Sequence, residues 1–207
     1  MSDSGIDQIM RLAPVIPVIV IDRVEDAVPM AEALVAGGLT VLEVTLRTPA
    51  ALDAITAMKS VKGAVVGAGT VLNQIDLNKS IDAGAEFIVS PGITAGLCKA
   101  AIDNGIPLLP GTANASDIML GMDMGLSRFK FFPAATSGGI PALKALAGPF
   151  GQARFCPTGG ITPATAPEWL ALEAVLCVGG SWVVPSGPLD PAKIETLARE
   201  AAALSRH

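Results

Sequence analysis

One lysine in this chain stands where its chemistry could be unusual: Lys130, in the run Arg128-Phe129-Lys130-Phe131-Phe132-Pro133. In an extended strand Phe129 and Phe131 share one side, and Arg128, Lys130 and Phe132 the other. The hexapeptide holds three of the chain's six phenylalanines, so an ammonium there is poorly hydrated and the neutral amine is favoured. A neutral amine adds to carbonyls. The bland alternative is a lysine whose stem lies on apolar surface with its head in water. A second stretch supplies an acid. In Leu42-Glu43-Val44-Thr45-Leu46-Arg47-Thr48, alternation puts Glu43, Thr45 and Arg47 on one face and Leu42, Val44 and Leu46 on the other. With the apolar face against helices, Glu43 points inward, where a carboxylate needs a partner. Beside an amine that forms carbonyl adducts it is a general acid–base group; the alternative is a structural ion pair. Arg47 is a fork for a ligand carboxylate, or else a counter-charge for Glu43 or a surface acid.

Other chemistries are narrowed by composition. The only histidine is the terminal His207 and there is no tyrosine, which excludes a His-based metal site or catalytic triad inside the fold. Cys98, Cys156 and Cys177 are odd in number and lack metal or redox spacing, as fits buried, reduced thiols in a cytoplasmic protein. The net charge of −5, with no basic cluster, argues against nucleic acid as a partner. Mean hydropathy is high at +0.55, yet no apolar run is long enough for a membrane span. The apolar run from Val15 to Ile21 contains Pro17, is followed by Asp22 and is preceded by Asp3 and Asp7, so it reads as a buried strand and not a signal peptide.

The elements that must position these residues recur along the chain. Strand-like runs are VIPVIVI from Val15, LTVLEVTL from Leu39, AVVG from Ala64, EFIVS from Glu86, IPLLP from Ile106, RFKFF from Arg128, RFCP from Arg154 and AVLCVGG from Ala174. Segments with helical spacing lie between them: after a short N-terminal helix over Ile6–Leu12 come Ala27–Ala36, Ala51–Val61, Gln74–Ala83, Ala95–Asn104 and Ala115–Met124. Asn73, Thr94 and Asn114 are placed to cap helices, and Gly37, Gly84, Gly105 and Gly125 to end them. Eight such units predict a (β/α)8 TIM barrel, forming a single domain over residues 1–207. The competing doubly wound sheet lacks its glycine-rich loop, since the first run leads into Asp22-Arg23.

In a barrel the chemistry sits at the carboxyl ends of the strands. The second and sixth runs lie opposite each other, so Glu43 and Lys130 can converge near the axis, directly or through a water. The third run ends Gly67-Ala68-Gly69-Thr70, where glycines permit close backbone approach and Thr70 offers a hydroxyl. Ser90-Pro91-Gly92 and Pro110-Gly111-Thr112 read first as tight turns, with Pro91 able to wall a pocket. The last two runs end Pro157-Thr158-Gly159-Gly160 and Val178-Gly179-Gly180-Ser181-Trp182. Paired glycines at these adjacent positions, with a short helix starting near Ser181, suit a phosphate site built from backbone N–H groups; plain turns are the alternative.

Together these pieces resemble the 2-keto-3-deoxy-6-phosphogluconate (KDPG) aldolase / 4-hydroxy-2-oxoglutarate aldolase family. The matching motifs are LEVTLRT, VGAGTVL, SPG, GLSRFKFFPA, RFCPTGGI and CVGGSW, ordered along nearly the whole chain. The resemblance implies a class I, Schiff-base aldolase on a TIM barrel, a homotrimer, with no metal and no organic cofactor. It implies Lys130 as the imine-forming lysine, Glu43 as the acid–base and Arg47 as the ligand of the pyruvyl carboxylate. It places Thr70 and Pro91 at the pyruvyl end and Thr158 beside the hydroxylated carbons. Gly159, Gly160, Gly180 and Ser181 would hold the phosphate. The substrate would be a small 2-keto-4-hydroxy acid: KDPG, its galacto epimer or 4-hydroxy-2-oxoglutarate. Relatives often carry an acid after Pro-Ala where this chain reads Pro133-Ala134-Ala135-Thr136-Ser137, which leaves the Ala134–Gly139 loop open. Two rivals use the same features: a sugar-phosphate isomerase or epimerase with Glu43 as base, and a non-catalytic phosphosugar-binding barrel.

Overall fold

Period-two alternation gives every strand two faces, and in the computed structural model, which describes residues 2–205 and so leaves His207 outside, the two faces build two separate cores. In chain order the elements are α1 (Ser2–Leu12), β1 (Val15–Ile19), a 3-10 turn (Val24–Asp26), α2 (Ala27–Ala36), β2 (Val41–Thr45), α3 (Ala51–Met58), β3 (Val65–Gly69), α4 (Gln74–Asp82) and β4 (Ile88–Val89). There follow α5 (Ala95–Asp103), β5 (Leu108–Leu109), β6 (Gly111–Thr112), α6 (Ala115–Asp123), β7 (Arg128–Phe131), α7 (Gly139–Ala147), β8 (Arg154–Pro157), α8 (Ala166–Leu170), β9 (Val178–Gly180) and α9 (Pro191–Ala202). All strand pairings are parallel, in sheets ordered β5-β4-β3-β2-β1-β9 and β6-β7-β8.

The strands fall where the apolar runs predict, with one division. The fifth run is cut at Pro110, which has no N–H to give a neighbour, although its carbonyl still accepts from Lys130 N at 2.9 Å. Beyond the other edge of the shorter sheet, parallel bridges join Thr158 to Gly179 and Phe155 to Val175. The three expected caps are formed: Asn73, Thr94 and Asn114 side chains accept from the backbone N–H of Asp76, Leu97 and Asp117. The short helix expected at Ser181 is absent. Residues 181–184 make a single turn, closed by Val184 N–H to Ser181 O, before Pro185 prevents it from continuing.

The outward faces, with Leu42, Val44, Val66, Ala68, Phe129, Phe131 and Phe155, pack against the helices. The inward faces change character along the strands. At their amino ends Ile16, Val41, Phe87, Leu109 and Cys156 form an apolar plug that Ile6 and Met10 of α1 close from below. Two residues further on, the same faces carry Glu43 above Val41 and Thr158 above Cys156. A polar layer thus rests on a dry floor.

An ion-pair cluster secures α1. Asp7 accepts from Arg128 Nε at 2.6 Å and from Arg11 Nε at 2.7 Å. Partial burial pushes the Asp7 carboxyl up, but hydrogen bonds from Arg11 and Arg128, with their charges, outweigh that and hold it below its ordinary 3.8. A carboxylate with a depressed folded value contributes stability above its unfolded value and loses it as pH falls through the folded one. Asp7→Asn is therefore expected to cost about 1 kcal/mol near neutral pH, and the gap to wild type should close below pH 3.8, as urea midpoints across that range would report.

Candidate active site

The geometry starts from β2 and β7. Lys130 Nζ donates to Glu43 Oε1 at 3.0 Å, although the two residues are far apart in sequence and come from different sheets. Both are buried, Lys130 to 5% and Glu43 to 3% relative exposure. The convergence expected from strand order is direct and needs no bridging water. The expected aromatic cage is smaller than three rings. Phe129 and Phe131 face the helices, stacking toward Phe155 and Trp169, and only Phe132 lies near the amine, its centroid 5.4 Å from Nζ. One ring and a carboxylate, not a hydrophobic box, make up the setting of Lys130.

Missing side chains make room for this pair. A Cβ on Gly69, at the end of β3 beside Glu43's strand, would fall on the Glu43 carboxyl, with Cγ only 2.7 Å away. Gly111, the ladder partner of Lys130, similarly admits the Pro91 backbone, so the loop after β4 lies against the strand next to the lysine. By contrast Gly67 is filled by the Phe87 ring and serves packing. Sequence reasoning treats Gly67 and Gly69 alike; only the neighbour across the strand tells them apart.

Thr70 follows β3 with φ of 60°, the only non-glycine in the left-handed region among the described residues. For a β-branched residue that costs on the order of 1–2 kcal/mol, the sort of strain that collects at functional sites. Thr158 lies two residues beyond Cys156, which is the ladder partner of Lys130, so its side chain stands on the lysine's face and closer to the strand ends. Its hydroxyl is buried against Cys156, and the space it occupies is left by Gly179, where a Cβ would strike it. Gly159 and Gly160 have φ of 100° and 76° and lie against Pro133 and Ala135, and Ala134 N–H and Ala135 N–H donate to Thr158 O and Gly159 O. These glycines join two loops as well as exposing backbone. Gly180 is covered by the Trp182 indole, and Ser181 is exposed.

Arg47 extends from the turn after β2, its Nε donating to Thr45 Oγ1 at 3.2 Å. With Ser181, Val18 and Val20 it lines a cleft of about 1090 Å³. Val18 is the ladder partner of Glu43, so the cleft reaches the strand beside the carboxylate. A smaller hollow of about 480 Å³ near Arg154 opens at the amino end of β8, away from these groups. Cys98, Cys156 and Cys177 are free and buried, and burial pushes the Cys98 thiol up to about 11.

An amine in contact with a carboxylate can form a carbonyl adduct and move a proton, and the arginine in the neighbouring cleft can pair with an anionic group. Comparisons with known proteins agree. The family model described as KDPG and KHG aldolase matches residues 6–199. The 2-dehydro-3-deoxy-phosphogluconate aldolase of Zymomonas mobilis is 64% identical over 97% of both chains. Its crystal structure with 3-phosphoglycerate superposes with a TM-score of 0.96, covering 97% of this chain and 96% of that one. The KHG/KDPG aldolase of Escherichia coli is 57% identical, over 94% of this chain and 93% of its own. A Legionella pneumophila KDPG aldolase, with pyruvate captured as a covalent carbinolamine, is 46% identical with a TM-score of 0.90, covering 95% of this chain and 98% of that one.

Proposed function

The chain belongs to the KDPG and KHG aldolase family, and on that premise we propose that it is a class I aldolase in which Lys130 forms the imine and Glu43 moves the protons. It cleaves KDPG to pyruvate and glyceraldehyde 3-phosphate, and 4-hydroxy-2-oxoglutarate to pyruvate and glyoxylate. The observation that carries the assignment of roles is the buried 3.0 Å contact between Lys130 Nζ, on β7, and Glu43 Oε1, on β2.

The steps follow from that contact. A proton passing from the amine to Glu43 leaves a nucleophile and an acid side by side. The amine adds to the C2 ketone, and the resulting carbinolamine loses its hydroxyl as water on protonation by Glu43, giving an iminium and returning Glu43 to the carboxylate. That cation draws the electron pair of the C3–C4 bond as Glu43 removes the C4 hydroxyl proton. The aldehyde departs and an enamine of pyruvate remains. Glu43 returns a proton to C3, and water hydrolyses the iminium to free pyruvate and the lysine. Arg47 holds the substrate carboxylate, Thr70 and Pro91 wall the pyruvyl end, and Thr158 faces the hydroxylated carbons. Backbone N–H groups at Gly159, Gly160 and Gly180, with the Ser181 hydroxyl, hold the phosphate. An anion is then bound by dipoles, as suits a chain of net charge −5.

We read the two sheets as one closed (β/α)8 barrel over residues 1–207, a single domain; the continuity of β5 and β6 through Pro110 and the Thr158–Gly179 bridge support closure. The absence, among described residues, of a helix long and apolar enough to cross a membrane suits a cytoplasmic enzyme, and a homotrimer is its expected assembly. Trapping tests the covalent step. Pyruvate with borohydride should add one reduced pyruvyl group, located by mass in the peptide bearing Lys130. Label on another lysine, or none with turnover intact, would remove Lys130 from the scheme.

A further inference from the structure

An exposed arginine is a poor fixed ligand. Its long side chain has many rotamers, and ordering it on ligand binding costs free energy. Arg47 is exposed and lies beyond the last residue of β2, where no strand ladder restrains it. The residues around it, however, are tied down by three hydrogen bonds, one to β3 and two to β1 and the residues just past it. Leu46 N–H donates to Gly69 O on β3 at 2.8 Å. The Thr48 hydroxyl donates to Ile21 O, just past β1. The Thr45 hydroxyl, 1% exposed, donates to Ile19 O at 2.8 Å.

The last bond has a consequence for the guanidinium. A hydroxyl carries one proton, and that of Thr45 is committed to Ile19 O, so toward Arg47 the oxygen can only accept. Arg47 Nε–H is the donor, at 3.2 Å. Fixing Nε orients the plane of the fork and leaves the other guanidinium N–H groups free to meet a carboxylate in pairs. We propose that Thr45 is a positioning residue, which presets the Arg47 guanidinium for the carboxylate of the oxo acid while Thr48 holds the turn between β1 and β3. Apolar burial alone would be served by valine at the same shape, so the hydroxyl at this buried position has its use in the relay from Ile19 to Arg47.

The inference rests on the reading of Arg47 as the carboxylate ligand, and the test separates the two. The readout is the pyruvate concentration that half-saturates borohydride trapping, together with KM and kcat for cleavage of KDPG. Thr45→Val should raise the half-saturating pyruvate and KM about tenfold, while kcat falls less than about twofold. Thr45→Ser, which keeps the hydroxyl, should restore most of the affinity. Arg47→Ala should raise the same two quantities at least as far, and Thr45→Val added to Arg47→Ala should change neither further. No effect of Arg47→Ala on pyruvate binding would overturn the role of Arg47. A rise with Arg47→Ala but none with Thr45→Val, or full additivity in the double variant, would overturn the role of Thr45. Should Thr45→Val fail to fold, Thr48→Val at its half-buried position carries the test: a rise of about two- to threefold, absent in the Arg47→Ala background, supports the clamp, and no rise sinks it.

Discussion

Lys130→Met is expected to abolish imine trapping and to lower kcat/KM for KDPG cleavage by about ten-thousandfold or more, a loss of at least roughly 5 kcal/mol of transition-state stabilisation. Methionine is chosen because it keeps most of the lysine's length and volume, so the layer around Phe132 and Cys156 stays filled. What it removes is the nitrogen that, in the proposed mechanism, bonds to C2 and becomes the electron sink for C3–C4 cleavage. Binding should suffer much less, because in the proposed binding mode Arg47 and the loops at Gly159 and Gly180 hold the two ends of the substrate independently of the amine. The split between a collapsed kcat and a modest change in KM marks a covalent role. A merely electrostatic lysine, as an isomerase would use, predicts a smaller loss and no trapping in wild type either. The variant also leaves Glu43 buried without its counter-charge, which costs about 3–5 kcal/mol if the carboxyl stays ionised. The Tm of the variant should therefore fall at neutral pH.

How much of this site is legible in the sequence depends on the range of the interaction. Alternation is local, so the inward set Glu43, Thr45 and Arg47 can be read from residues 42–48 alone, and the structure has Glu43 and Thr45 buried in that order. The meeting of Glu43 and Lys130 is expected from a barrel in which the second and sixth of eight runs lie opposite each other, and the contact between β2 and β7 is found. What is not legible comes from contacts between loops. The three phenylalanines around Lys130 look alike in a string, yet only Phe132 can reach the amine, since Phe129 and Phe131 project to the other side of the strand. That correction is available from the same alternation and changes the chemistry of the pocket from apolar to ionic. Glycine is ambiguous in another way. Gly67 makes room for Phe87, Gly69 for the Glu43 carboxyl and Gly160 for Ala135, and nothing in the letter G distinguishes packing from a seat for a reacting group. Thr70 is harder still, because a threonine with positive φ runs against its own preference and is held there by its surroundings. The turn at Ser181 falls in the same class: paired glycines signal a tight loop, but Pro185 decides that no helix follows.

Glu43→Gln is expected to separate the two halves of the mechanism. The glutamine amide oxygen can still accept from Lys130 Nζ, and Gly69 still leaves the side chain its space, so the fold and the amine's position should survive. An amide cannot take or return a proton at the pH of the reaction. Loss of general acid–base catalysis lowers kcat by about 10²–10⁴-fold. The steps it affects are specific: removal of the C4 hydroxyl proton, protonation of the enamine at C3, and the proton movements that form and hydrolyse the iminium. In deuterated water, wild type should exchange the methyl protons of pyruvate, because the enamine is protonated from a group in contact with solvent between turnovers. The variant should exchange them slower by a similar factor, while prolonged incubation with borohydride still labels Lys130. An exchange rate equal to wild type would mean that the proton comes from elsewhere. On the lysine's face of β8, Cys156 and Thr158 bring a thiol and a hydroxyl that contact each other, and no second carboxylate. Glu43 is the carboxylate in direct contact with the amine, and a large loss in exchange is the outcome expected of its proposed role.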